Sequence, residues 1–326
     1  MPAYLARTRH TGTMPITPGE LRESLQQCLG GEWPTPGDLD PRVTDTTHLR
    51  GYRIEHLSYL AEPNDRVPAL LLIPDGVDAA HPAPAIVALH QHNGEWNLGK
   101  SEPAGLAGNP MHHTGAALAR EGYVVLCPDS LCFEDRASLH LPGHRDEQAQ
   151  AMRYLTQGQS LAWKNILDTR RAVDLLASRP EVDATRLGAY GHSMGSTIAW
   201  LTGPFEPRLR AIVGNCCLPT YAAIEEHHLT HCFTTFVPGW QQHGDTPDIA
   251  GLIAPTPLHL NFGELDADSP LTGVLPGIDT IAKAFKAADA GDHFTSWVEP
   301  GAGHELTEAM WGHARDTFAR YLAAGR

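Results

Sequence analysis

An α/β fold built on a mostly parallel sheet with helices on both faces is what the sequence predicts. Three observations lead there. Short runs that are apolar almost throughout recur along the chain, such as AIVALH (85–90) and RAIVGN (210–215), the mark of strands covered on both faces. Stretches with helical spacing separate these runs, and the links between them are short, which is the βαβα rhythm of a parallel sheet. The chain has 326 residues, 42% of them hydrophobic, enough for a sizeable core in one large domain or two smaller ones. The pattern becomes regular from about residue 51, which fits one domain, 51–326, preceded by an N-terminal extension, 1–50, packed on it.

The elements follow in order. Residues 1–50 are rich in Pro, Gly and Thr and hold one plausible helix, PGELRESLQQCL (18–29). YRIEHLSYL alternates as a half-buried strand should, and ALLLIP follows after Pro63-Asn64-Asp65, so the two form an antiparallel hairpin. AIVALH, YVVLCP (123–128), RLGAY (186–190), RAIVGN, PLHLNF (257–262) and HFTSWV (293–298) bring the sheet to about eight strands. Helices are predicted over 115–122, 162–179, 193–203, 280–291 and 307–325; in the second, Ile166, Ala172, Val173 and Leu176 fall near helical spacing. On that helix Asp168, Arg170, Arg171 and Asp174 read as a solvated face of i, i+3 and i, i+4 pairs. Two irregular segments, 129–160 and 216–252, interrupt the rhythm and read as cap-like insertions over a site.

Charge and composition exclude several functions. The formal net charge is −14, from 24 basic and 38 acidic residues, which argues against a nucleic-acid partner. No run approaches 18 apolar residues, so neither a membrane span nor a membrane partner is expected. The first twenty residues lack an apolar core, so no signal peptide is expected. Cys28, Cys127, Cys132, Cys216, Cys217 and Cys232 show no CxxC spacing and read as reduced thiols of a cytoplasmic protein, although the adjacent Cys216-Cys217 would permit a vicinal disulfide. G-x-G-x-x-G and G-x-x-x-x-G-K-[ST] are absent at strand–helix turns, which disfavours a nucleotide enzyme.

One stretch carries chemistry. LGAYGHSMGST (187–197) places Ser193 between Gly191 and Gly195, after a strand and at the start of a helix. A sharp turn there lifts the serine to the carboxyl edge of the sheet, and the glycines relieve clashes with the neighbouring strand and helix. The Met194 N–H then points into the same space and supplies one donor for an oxyanion. A serine hydroxyl needs a base, and the base an orienting carboxylate. Beyond PLHLNF lies GELDADSP (263–270), where Asp266 is the favoured acid, with Asp268 and Glu264 as rivals. Beyond the last strand, in GAGH (301–304), His304 is placed to reach the serine.

GHSMG, GELDADSP and GAGH, together with ALHQHNG (88–94) and GYVVLCPD (122–129), resemble the α/β-hydrolases, and within that fold the dienelactone hydrolase and acetyl-esterase branch, over roughly 55–325. The resemblance implies a Ser193–His304–Asp266 triad and a second oxyanion donor after the third strand. The family pattern there is His-Gly-x with the x amide as donor; here it is His90-Gln91-His92, which favours the His92 N–H and keeps Gln91 second. Dienelactone hydrolases carry a cysteine nucleophile, and Ser193 moves the expectation to ordinary carboxylic esters: a serine esterase, without cofactor, acting on small short-acyl or acetyl esters of a sugar or xenobiotic. A serine peptidase of the prolyl oligopeptidase type and a non-catalytic hydrolase-like binding module are the alternatives. Self-association into a homo-oligomer stays open.

Other residues were weighed for substrate contact. Trp96 and Trp240 fall in the rim loops, where an indole stacks on a sugar or packs under a loop. Arg136, after strand YVVLCP, either pairs with nearby acids or meets substrate. No metal is expected: His90-x-His92 lacks the later ligands such a pair needs, and His227, His228 and His231, read as sharing one helix, lack an HExxH glutamate.

Overall fold

The computed structural model describes residues 16–323. The leader reading at residues 1–15 and the last two positions expected for the final helix lie outside them. In chain order the elements are α1 (Pro18–Leu29), β1 (Arg42–Leu49), β2 (Tyr52–Glu62), β3 (Asp65–Pro74), β4 (Ala83–Leu89), α2 (Thr114–Arg120), β5 (Val124–Pro128), α3 (Gly143–Thr156), α4 (Leu161–Ser178), β6 (Val182–His192), α5 (Met194–Thr202), β7 (Leu209–Asn215), α6 (Tyr221–His227), α7 (Thr246–Gly251), β8 (Leu258–Gly263), α8 (Leu271–Ala287), β9 (Phe294–Glu299) and α9 (Glu308–Leu322).

One sheet of nine strands runs β1-β2-β3-β5-β4-β6-β7-β8-β9. β1, β2 and β3 form an antiparallel meander that joins β5 antiparallel. From β5 through β9 every pairing is parallel. The parallel strands are buried along nearly their whole length, as in LHLNFG and VVLCP, so both faces must be covered. One cluster gathers α4, α5 and α8 side chains against Val87, Leu126 and Ala189 on one face. On the other, Phe318 and Leu322 of α9 with Leu118 of α2 pack on Ile86, Val125 and Val213. All six parallel strands therefore point their carboxyl ends to one edge, where an open α/β sheet places its ligands.

Four expectations need correction. The sheet has nine strands rather than about eight. The extra one, RVTDTTHL, lies in the segment read as an extension; its side chains are almost all exposed, so no apolar alternation marks it. The segments 129–160 and 216–252 hold helices: α3 in the first, α6 and α7 in the second. α3 is too polar to show a stripe, and α6 and α7 are only seven and six residues long. On α4, Asp168 and Arg171 are buried rather than solvated. The β2–β3 hairpin and the N-terminal segment cover them: Arg171 donates to Leu60 O and Gly37 O, and Asp168 pairs with Lys164 at 2.8 Å and Arg136 at 2.7 Å. α8 also begins earlier than its periodicity suggests, because Pro276 inside it reads as a breaker.

Candidate active site

The turn between β6 and α5 is steric from end to end. A Cβ on Gly191 would lie 2.0 Å from the Gly195 carbonyl carbon, and one on Gly195 would lie 2.2 Å from Leu89 O. No side chain fits at either position, and β4 passes directly against the turn. Ser193 at the apex has φ 53° and ψ −119°, a conformation costing about 1–3 kcal/mol in a residue with a Cβ. Its N–H donates to Asn215 O at 2.8 Å, which ties the strained residue to the end of β7. Met194 is the first residue of α5, so its N–H has no helical acceptor.

The chemistry converges here. The Ser193 hydroxyl donates to His304 Nε2 at 2.8 Å, and His304 Nδ1 donates to both Asp266 oxygens, at 2.9 and 3.0 Å. Asp266 is 3% exposed and also accepts from the Asp268 and Ser269 N–H groups, so its carboxylate cannot swing away. The rivals have other partners. Glu264 accepts from the Gly301 N–H and braces the loop that carries the histidine. Asp268 stands 3.8 Å from His304 Nδ1 with its side chain more than half exposed. Burial works to lower the His304 pKa, but the Asp266 hydrogen bond and charge, with Asp268 behind them, outweigh it and hold the imidazole above its ordinary value.

A cavity of about 540 Å³ opens over this group. The loop after β4 lines it through Gln91, His92, Asn93 and Trp96, the turn before α5 through Ser193 and Met194, α3 through His144 and Glu147, and the second insertion through Thr230, His231, Cys232 and Phe233. Both insertions therefore roof the site. Trp96 does face it, held by its indole N–H on Glu147 Oε2 at 3.1 Å. The other two proposed contacts are corrected. Trp240 is fully buried outside the cavity, donating to Asp245 O at 2.9 Å and stacked on His243. The Arg136 guanidinium is buried between Asp65 and Asp168 and also donates to Asp129 O. An arginine saturated in this way is structural.

The histidines sort by partner. His90 and His92 share no ligand position: each uses both ring nitrogens within the chain. His227 ends α6, His228 caps it with φ 52°, and His231 lies beyond it, donating to Asp268 O, so the three do not share a helix. Among the described residues two clusters bring three possible metal ligands together, Asp266–Asp268–His304 and Asp129–Glu134–Asp135. The first is the acid–base pair already described. In the second the Lys100 ammonium sits 2.7 Å from each carboxylate, where a cation would otherwise stand.

Sequence reasoning missed His192 and Asn215. His192 is buried between His112 and His304, with ring centroids 4.4 and 5.2 Å away. Asn215 Nδ2 donates to His192 Nδ1 at 2.8 Å and reaches Glu305 O beside His304. Burial drives the His192 pKa well below the usual value, so the ring next to Ser193 stays neutral. The x of G-x-S-x-G held this signal, since a histidine there enters the core between strand and helix.

Residues 67–215 match the model of the dienelactone hydrolase family. YtaP of Bacillus subtilis (strain 168), provisionally named a hydrolase, is 31% identical over 281 residues, 83% of this chain and 88% of its own length. Among solved structures, a Bacteroides fragilis NCTC 9343 protein provisionally named an acetyl xylan esterase superposes with a TM-score of 0.71 at 18% identity, over 94% of this chain and 82% of that one. A glucuronoyl esterase from Solibacter usitatus gives 0.67 at 16% identity, over 92% and 91%. At those identities the structures speak for the fold, and the relative and the family model speak for descent: the chain belongs to the dienelactone hydrolase family and has the α/β-hydrolase fold.

Proposed function

We propose that this protein is a serine carboxylic-ester hydrolase that works through an acyl-enzyme on short-acyl or acetyl esters. The observation that carries the reading is the continuous hydrogen-bonded line from Ser193 Oγ through His304 to Asp266, opening into a cavity. In the proposed reaction His304 takes the hydroxyl proton as Ser193 attacks the ester carbonyl. Asp266 holds the imidazole in the required tautomer and stabilises the imidazolium. The Met194 and His92 N–H groups face the oxyanion, and His304 returns the proton to the leaving alcohol. Water then repeats the sequence on the acyl-serine.

For the alcohol, a sugar is the favoured choice. The fold neighbours include proteins named for acetyl xylan and glucuronoyl esters, and Trp96 offers a flat apolar surface in a cavity with a polar rim. Six unpaired cysteines suit a reducing compartment, and among the described residues no helix is long and apolar enough to cross a membrane; a cytoplasmic enzyme is part of the proposal. Hydrolysis of p-nitrophenyl esters from acetyl to dodecanoyl tests it, with wild type and Ser193→Ala side by side. Turnover of the short chains that disappears in the variant is the expected result. Retained turnover in Ser193→Ala, or cleavage of peptide amides with no ester hydrolysis, would overturn it.

A further inference from the structure

We propose that His90 is a positioning residue: its ring clamps the Gln91–His92 peptide so that the His92 N–H is presented to the oxyanion. The inference rests on the esterase reading. His90 follows β4 and is 3% exposed, with Phe133 packed on its ring at 5.0 Å. Its two nitrogens have opposite duties. Nε2 accepts from the Ser130 N–H at 3.0 Å, just beyond β5, so the ring proton resides on Nδ1. Nδ1 then donates to Gln91 O, the carbonyl of the very next residue, at 2.7 Å.

The consequence follows from peptide geometry. A trans peptide is planar, with its C=O and N–H pointing in opposite directions. Turning Gln91 O toward the His90 ring therefore turns the His92 N–H away from it. Everything else about His92 is already tied. Its Nδ1 accepts from the Gly94 N–H at 3.0 Å and its Nε2 donates to Glu147 at 2.8 Å. The Gln91 side chain is anchored on Glu102 at 2.9 Å. The His92 N–H has no acceptor among the described residues, and His92 lines the cavity with Ser193 and Met194. The loop lies close against the turn before α5, since an added Cβ on Gly195 would lie 2.9 Å from His90 O. Burial lowers the His90 imidazole to about 4, so one neutral tautomer holds the peptide throughout the neutral range. Where the family pattern His-Gly-x has glycine, this chain has Gln91, and the ring of His90 holds the carbonyl of that residue.

Three substitutions separate this role from simple packing. His90→Phe keeps the ring volume and loses both hydrogen bonds. His90→Asn can set its amide N–H where Nδ1 stood and restore the bond to Gln91 O. His90→Gln reaches toward Ser130 and not toward Gln91. With p-nitrophenyl acetate, His90→Phe is expected to lose about 10²-fold in kcat, the cost of one oxyanion donor, with KM within about 3-fold. His90→Asn should recover most of that loss and His90→Gln should not. Crystal structures of the variants read the peptide directly: Gln91 O held in place in Asn, and rotated or disordered in Phe and Gln. Full kcat in His90→Phe, or an Asn variant no better than Gln, would overturn the proposal; the Asn–Gln pair decides if Phe does not fold. If wild type hydrolyses no ester, the esterase reading falls, and the clamp is still judged on the peptide orientation. An unmoved Gln91 carbonyl in Phe and Gln would sink it.

Discussion

Two buried polar regions of this fold differ in how completely their charges are matched. At the carboxyl edge of the parallel strands, Asp266, His304 and Ser193 form an open-ended line whose serine end faces a cavity. Under α4 and the β2–β3 hairpin, the second region closes on itself. Arg136 and Lys164 share Asp65 and Asp168, and Lys164 also holds Glu62. Burial and charge are common to both. What separates them is that each carboxylate of the second network is matched by Arg136 or Lys164, while the line at the sheet edge ends in a hydroxyl with no charge against it. A saturated ion-pair network is architecture, and an unsaturated one in a cavity is a candidate for chemistry.

The comparison breaks first if the open line can be cut at no cost to turnover. Ser193→Ala removes the reacting atom and should lower kcat by about 10⁴-fold or more, equal to roughly 5 kcal/mol of barrier. The fold should be unharmed, because Ala loses no buried partner beyond His304. Thermal unfolding beside steady-state kinetics checks both halves. The closed network should behave in the opposite way. Arg136→Ala leaves the buried Asp168 and the partly exposed Asp65 to share Lys164 alone, which costs about 3 kcal/mol of stability. Folded molecules should keep their kcat. A variant as stable as wild type with weakened substrate binding would show that Arg136 meets substrate after all.

Why the second region was misread in the sequence is instructive. Asp168, Arg171 and Asp174 show the spacing of a solvated helix face, and spacing alone cannot reveal that the hairpin and residues near Gly37 lie over it. Arg136 is an arginine near a site in the chain, and only three-dimensional packing shows that Asp65 reaches it from the same β2–β3 hairpin. The parallel strands, by contrast, were legible because burial on both faces demands continuous apolar runs. The Ser193 turn was legible because two glycines are the sole residues that fit there. Asp266 and His304 were legible because each follows a strand whose end had already been placed. His90 was not, because its partner is a backbone carbonyl, and backbone geometry leaves no mark on residue type. β1 was hidden for the converse reason: an exposed edge strand needs no apolar pattern.

A third region sharpens the contrast by titration. Lys100 closes a cluster with Asp129, Glu134 and Asp135. Burial pushes the Asp129 carboxyl up to about 7, against the pull of Lys100. A raised carboxyl binds a proton in the folded state that the unfolded chain has already released. Its contribution to stability is therefore present below pH about 4 and is lost as pH rises to about 7. Denaturant midpoints between pH 5 and 8 should fall with rising pH, and Asp129→Asn should flatten that slope. An unchanged slope in the variant would show that Asp129 stays ionised and fully paired.

The smallest effect tests the open end of the active-site line. Asp268 lies 3.8 Å from His304 Nδ1, and its side chain is 56% exposed. Asp266 and Asp268 both favour the imidazolium, so the general base becomes available only as pH rises past its raised value. The acid limb of kcat/KM should therefore sit above the ordinary histidine range. Asp268→Asn withdraws the more distant charge, and solvent screening keeps that change small. The limb should move toward lower pH by a few tenths of a unit, which doubles the rate at most on the acid side and leaves the plateau unchanged. Raising the salt concentration in wild type should move the limb the same way, because an exposed charge is screened and a buried one is not. Loss of the plateau in Asp268→Asn would mean that the second carboxylate orients the ring rather than tuning it, and that Asp266 does not hold His304 alone.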